Sequence, residues 1–205
     1  MLVQDEIKRL SLRLQTTELN IRREFVQHQF LRFFYQQPNT QKVFFKGGTA
    51  LRIAYQSPRF SEDLDFDSRL SFNELEGVIQ STLEMLDKDG IKNEILESKK
   101  TSGGYLGVIK LDNLNTSLEI SNRKSSKGEP ITIVGDFTLP YTIFLLAREN
   151  LFSEKIDAFL SRQKPRDYYD LYFILRSNLL NSGQKKRIFK AISLIKSTNI
   201  DFKKE

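Results

Sequence analysis

Asp63, Asp65 and Asp67 stand at alternate positions in the run D-L-D-F-D, with Leu64 and Phe66 between them. Successive side chains of a β-strand point to opposite faces, so this spacing sets three carboxylates on one face and two apolar groups on the other. Three like charges on one short face oppose folding. At about 5 Å and an effective dielectric of about 20, each close pair repels by roughly 3 kcal/mol. A divalent cation removes that cost, and Mg²⁺ is commonly held by one or two carboxylates together with substrate phosphates. Just upstream, Val43-Phe44-Phe45 reads as a short strand that breaks at Gly47-Gly48 and continues into a helix-compatible segment, Thr49 to Tyr55. The glycines let the backbone approach a ligand closely, and free N–H groups at a helix start attract phosphate. Thr49 offers a hydroxyl that either caps the helix or touches a phosphate oxygen. Alone, each half has a plain structural explanation, a tight turn and a solvated strand edge. Together they point to metal-assisted transfer on a nucleoside triphosphate.

Two further stretches carry chemistry. Over Tyr141 to Arg162 the sequence predicts one long helix on which Leu151, Phe152, Ile156, Ala158, Phe159 and Leu160 form a broad apolar arc. Lys155 and Arg162 fall inside that arc, so each needs an anionic partner: the acidic cluster or a bound triphosphate would serve. Pro165 then opens a new helix, with Asp167 and Asp170 three apart on its polar face and Leu171, Ile174 and Leu175 turned inward. The two acids compensate the helix dipole or, with Arg166, form salt bridges that hold Lys155 and Arg162.

The runs K-G-G-T-A-L-R-I-A-Y and R-F-S-E-D-L-D-F closely resemble the AbiEii/AbiGii toxin family, a branch of the nucleotidyltransferase superfamily with a DNA polymerase β-like fold. A second family signature, E-K-x-x-A-x-x-x-R-x-x-x-R-D-x-x-D-L, is matched by Glu154-Lys155 and Ala158 through Arg162, Arg166-Asp167 and Asp170-Leu171. The resemblance runs from about Phe44 to Leu175. It implies transfer of a nucleotidyl group from an NTP to an acceptor hydroxyl, with release of pyrophosphate. Asp63 and Asp65 would hold two Mg²⁺ ions, with Mn²⁺ as the alternative. Gly47, Gly48 and Thr49 would cradle the outer phosphates, and Lys155, Arg162 and Arg59 would offset their charge. Members of the superfamily carry a third acid on a neighbouring strand. Glu119 in S-L-E-I-S is the resembling position, as metal ligand or proton acceptor, with Asp67 and Asp112 as rivals. The resemblance further implies a toxin of a type IV toxin–antitoxin or phage-defence system, an RNA acceptor such as tRNA, and a separately encoded antitoxin.

The elements that must position these groups suit an α+β fold: a mixed sheet of the minimal nucleotidyltransferase type flanked by helices, with a C-terminal helical subdomain. We divide the chain into a core with N-terminal helices, residues 1–139, and the helical subdomain, residues 140–205. Residues from about Gln4 to Tyr35 read as helical, and Ser71 with Glu74 forms a capping box for a helix ending near Gly90. Strands are expected over Ile91–Leu96, Tyr105–Leu111 and Thr116–Ser121, the last with Ser117, Glu119 and Ser121 on one face, and a short strand over Ile131–Val134. Asn122 to Gly128 is a basic polar loop near Glu119, and Asn181 to Glu205 reads as a basic amphipathic helix with a charged end.

Composition sets the bounds. The 205 residues suffice for one substantial core, and 39% hydrophobic with 28% charged residues is a globular balance. Lys and Arg number 32 against 26 Asp and Glu, a surplus compatible with a nucleic-acid partner. The chain has no cysteine, which excludes disulfides and thiolate metal sites and suits the cytoplasm. No apolar run reaches transmembrane length, so no membrane partner is expected. Arg23 and His28 have the R-x4-H spacing of HEPN-type ribonucleases, but at i, i+5 they align poorly on a helix face. A HEPN-like ribonuclease and a non-catalytic RNA-binding module are therefore the rival readings.

Overall fold

Val43–Lys46 (β1) and Leu64–Ser68 (β2) pair antiparallel at the centre of a seven-stranded sheet, with Lys46 opposite Asp65. The computed structural model describes residues 2–192. Two parallel pairings flank this hairpin-like centre. Asn93–Thr101 (β3), Gly104–Leu111 (β4) and Leu114–Asn122 (β5) form an antiparallel meander, and β5 lies parallel to β2 with Glu119 opposite Asp65. On the other side Gly128–Ile133 (β6) and Tyr141–Leu146 (β7) pair antiparallel, and β7 lies parallel to β1. The order is β3-β4-β5-β2-β1-β7-β6, a mixed α+β sheet.

The expected long helix over Tyr141–Arg162 is two elements, β7 and Arg148–Arg162 (α5). Y-T-I-F-L-L is rich in the β-branched and aromatic residues that suit a pleated buried surface, and its place beside β1 decides for strand. The all-helical part of the chain thus begins at Arg148. Similarly, β3 starts at Asn93 and runs to Thr101, farther than the expected Ile91–Leu96.

The two faces of the sheet bury different things. Leu64 and Phe66 of β2 and Phe45 of β1 join the larger apolar core, which also takes side chains of Gln4–Arg13 (α1), Glu18–Phe34 (α2) and Phe72–Lys88 (α4). Thr17 caps α2 through its side chain, and Ser71 with Glu74 completes the predicted capping box of α4. Phe44 and Leu146 emerge on the opposite side. There they pack with Leu51 of Gly47–Tyr55 (α3) and with Phe152, Ile156 and Phe159 of α5. Leu171 and Ile174 of Pro165–Arg176 (α6) and Ile188 of Ser182–Ile192 (α7) complete this second cluster. It seats α5 and α6 on the face that carries the acids of β2.

Candidate active site

Asp65 and Glu119 face each other across the parallel β2–β5 ladder, because directly paired residues present their side chains to the same face. Asp63 sits one residue before β2 begins and lines the same cleft as both. Burial is the main reason that the Asp65 carboxyl titrates high, at about 6 against an ordinary 3.8. The charges of Glu119 and Asp63 push the same way, and Lys155 and Lys46 oppose them. A partly buried carboxylate whose acidic neighbours outweigh its cationic ones is a place where added positive charge is stabilising.

Helices α5 and α6 supply the opposing wall. Lys155 Nζ donates to Asp170 Oδ2 at 2.7 Å, and Arg59 donates to both Asp170 oxygens at 2.8 and 3.1 Å. Asp170 is almost wholly buried. Burial alone would raise its pKa, yet the Arg59 hydrogen bonds and the charge of Lys155 outweigh that and leave it lowered. Arg162 forks onto Asp167 at 2.7 to 3.0 Å, and the same carboxylate accepts the Lys164 backbone N–H at 3.1 Å, tying the end of α5 to the start of α6. Asp170 and Asp167 thus hold Lys155 and Arg162 as expected, with Arg59 in the place expected for Arg166. Arg166 is not what the two acids hold; it lies exposed at the edge of the cleft.

The cleft so formed measures about 170 Å³ and is lined by Gly48, Ser61, three acids from the sheet side (Asp63, Asp65, Glu119), the cations Arg59, Lys155, Arg162 and Arg166, and Asp170. Apart from Asp170, which is bonded to Lys155 and Arg59, acids and cations are segregated: the other carboxylates come from the β2 and β5 region, the cations from the α3–β2 loop and the two helices.

Gly47 has φ +83, a left-handed conformation, and a Cβ there would run into the Asp65 carboxylate. A Cβ on Gly48 would crowd Arg59 Nη2 at 2.5 Å and Ser61 Oγ at 2.8 Å. The two glycines thus clear space that Asp65, Arg59 and Ser61 occupy. Gly47→Ala should destabilise the protein by about 1–3 kcal/mol through backbone strain and displace Asp65. Thermal unfolding together with a transfer assay checks this; an unchanged midpoint would remove the steric argument.

Thr49 differs from the expectation. It is fully buried and its hydroxyl donates to the Asp63 carbonyl at 2.5 Å. It fastens α3 to the chain entering β2 and does not face the cleft. Asp67, a rival third acid, is also engaged elsewhere. It is buried against Lys46 Nζ at 2.7 Å and accepts from Ser126 Oγ at 2.5 Å. Lys46 continues to Glu154 at 3.1 Å, and Arg123 bonds Glu154 at 2.9 Å. The basic loop after β5 is therefore anchored at Arg123 and Ser126. This network, centred on Lys46, was not foreseen; a lysine between an apolar strand and a Gly-Gly turn was its only sign. Asp112, the other rival, occupies the β4–β5 turn with φ +50, away from the cleft and beside residues of α1 and α2. Glu119 alone of the three lines the cleft.

His28 is buried with its Nδ1 2.8 Å from the Tyr141 hydroxyl and its ring 5.2 Å from Phe137. Burial lowers its pKa to about 4, with the charge of Arg52 adding to the effect. Arg23 pairs with Glu62 at 2.9 Å. A neutral, enclosed imidazole bonded to a tyrosine is a core histidine, which corrects the ribonuclease reading.

The donor set suits a hard divalent cation. Among the described residues no group of three or more His, Cys, Asp or Glu side chains is so placed that it could hold a metal ion. Acids paired across neighbouring strands, with open space beside them, match a cation that completes its shell with phosphate oxygens and water. Among the same residues no helix is long and apolar enough to cross a membrane.

Known proteins place the fold. A solved structure of JHP933 from Helicobacter pylori superposes with a TM-score of 0.61 at 25% identity, over 86% of this chain and 78% of that one. MenT4, the nucleotidyltransferase toxin Rv2826c of Mycobacterium tuberculosis H37Rv, superposes with a TM-score of 0.69 at 19% identity, over 92% of this chain and 69% of that one. No curated protein matches the sequence. Residues 29–200 match the family model described as nucleotidyl transferase AbiEii toxin, type IV TA system, a span that takes in both walls of the cleft and the whole of the sheet. With that match covering most of its length, the chain belongs to the AbiEii family of nucleotidyltransferase toxins.

Proposed function

We propose that the cleft binds a nucleoside triphosphate with Mg²⁺ and transfers its nucleotidyl group to an acceptor hydroxyl of RNA, tRNA being the acceptor the family resemblance favours. The observation that carries this is the meeting of Asp63, Asp65 and Glu119 with Gly48, Arg59 and Lys155 around one space of about 170 Å³. Such a volume is below the roughly 300–1,000 Å³ of pockets that enclose whole drug-sized ligands, and it suits a triphosphate better than a complete nucleotide. Asp63 and Asp65, with Glu119, would hold the cation, which would polarise the phosphate and steady the departing pyrophosphate. Mn²⁺ would serve in its place. The Gly47-Gly48 turn, with Gly48 lining the cleft, would bring the start of α3 to the outer phosphates, and Lys155, Arg59 and Arg162 would offset their charge. Glu119, which is exposed on β5, would accept the acceptor's proton. Catalysis of this kind rests on positioning and electrostatics. As a toxin, the protein would act opposite a cognate antitoxin.

Purified protein with Mg²⁺, total tRNA and each labelled NTP in turn should move label onto RNA, and Asp63→Ala should reduce that by about 10²–10³-fold. RNA binding without label transfer for any NTP would instead indicate a non-catalytic module. Label transfer that survives Asp63→Ala would remove the acids from the mechanism.

A further inference from the structure

Helix α6 turns its two acids inward and shows solvent a different chemistry. Asp167 and Asp170 are buried, while the exposed side chains from Lys164 to Arg176 are Lys164, Arg166, Tyr169, Tyr172 and Arg176. No acid and no aliphatic group is exposed on that segment. Tyr169 is 41% and Tyr172 57% exposed, unusual for large rings in a helix whose inner face already packs Leu171 and Ile174. The spacing Arg166, Tyr169, Tyr172 is i, i+3, i+6, and Arg176 follows at i+4 from Tyr172, so the four neighbour one another along one side. Arg176 lies over the Tyr172 ring at 5.7 Å and donates to its hydroxyl at 2.9 Å, which orients that ring. The row begins at the cleft itself, whose edge includes Arg166. From Arg166 to Arg176 it extends about 15 Å along the helix axis.

We infer that this row is the acceptor track: a surface on which a single-stranded polynucleotide lies, bases stacked on Tyr169 and Tyr172 and phosphates on Arg166 and Arg176, with its end delivered to the cleft. The inference rests on the transferase reading for the purpose of the track, but the surface itself is argued from the helix. A basic patch alone would suit any anion. Two exposed rings set between guanidinium groups suit bases that are free to stack, which a duplex does not offer. An acidic protein partner would be served by the charges and would gain little from the rings.

The track is tested by binding without NTP, so that catalysis plays no part. A short fluorescent single-stranded RNA, the same sequence as DNA, and an RNA duplex are titrated into the full chain and followed by anisotropy. Single strands should bind more tightly than the duplex, and RNA against DNA shows whether the 2′-hydroxyl is read. Tyr169→Ala with Tyr172→Ala should weaken single-strand binding by about tenfold or more. The paired Phe variant should retain it, and the paired Leu variant should lose it as the Ala pair does. Arg176→Gln should lower the salt dependence by about 0.7 in log–log slope, the value for one phosphate on a single strand. Equal single-strand affinity in the Ala pair and the wild type would overturn the track, as would equal binding of the duplex. If the Ala pair binds normally while label transfer proceeds, the track falls and the transferase stands. If single-strand binding depends on the tyrosines but no NTP is ever used, the transferase falls and the track stands.

Discussion

Asp65→Asn is expected to cut nucleotidyl transfer by about 10²–10³-fold or more while making the metal-free protein more stable. The two effects share one cause. Asp65 is held among Glu119 and Asp63 in a partly buried position, and its pKa stands at about 6. The folded protein thus binds this proton more tightly than the unfolded chain does. Below a pH of about 3.8 the carboxyl is neutral in both states and costs nothing. As pH rises from there towards about 6, the folded state loses stability relative to the unfolded one, and above that the full penalty applies. A shift from 3.8 to about 6 corresponds to roughly 3 kcal/mol. Solvent reaches part of the group, so a gain of about 1–3 kcal/mol is expected for the neutral isostere near pH 8. Urea denaturation of both proteins with chelator, near pH 8 and near pH 5, checks it: the difference should shrink on the acid side. Equal stability at both values would mean that Asp65 is not held against its charge. Transfer within tenfold of wild type would show that the carboxylate is dispensable.

The second large effect concerns Asp170, and its sign is opposite. This carboxylate is 2% exposed and accepts from Arg59 twice and from Lys155 once. Truncation by Asp170→Ala leaves two cations facing each other without their anion, a change that typically costs about 3–5 kcal/mol. Lys155 loses its tether at the same time, so transfer should fall even where the protein stays folded. Asp170→Asn keeps the shape and part of the hydrogen bonding, and should cost less. Because the Asp170 pKa is lowered, its contribution is complete above the unfolded value near 3.8 and is lost as pH falls through the folded one. The measurement is the denaturation midpoint of the three proteins from neutral pH down to the acid limb. A midpoint for Asp170→Ala within experimental error of wild type would sever α6 from the support of the cleft.

Local signals told much of this fold from the sequence alone. The strand–glycine–helix passage from Val43 to Tyr55, the alternation in β2 and the Ser71–Glu74 capping box each depend on neighbours within a few residues, and each stands where the pattern sets it. Glu119 was reachable in the same way, since the period of β5 places it opposite Leu118 and Ile120. What escaped was non-local. Tyr141–Leu146 reads equally as the start of a helix, because a short apolar run carries no period of its own; only β1, far earlier in the chain, makes it a strand. That Asp167 and Asp170 hold Arg162 and Lys155 is within reach of the pattern, but that Arg59, more than a hundred residues away, shares Asp170 is a fact of topology. Thr49 was misread for a related reason. A hydroxyl at a helix start has several plausible acceptors, and the Asp63 carbonyl that takes it comes from across the turn.

The parallel ladders on either side of the central pair have a temporal consequence. β2 waits for β5 and β1 waits for β7, and neither partner is adjacent in the chain. A ribosome that has released only the first half of the polypeptide holds the aspartates but not Lys155 or Asp170, which close the opposite wall. The cleft is thus completed last: a truncated or still-emerging chain carries the acids without the wall opposite them, and under the proposed reading transfer would begin only once synthesis has passed α6.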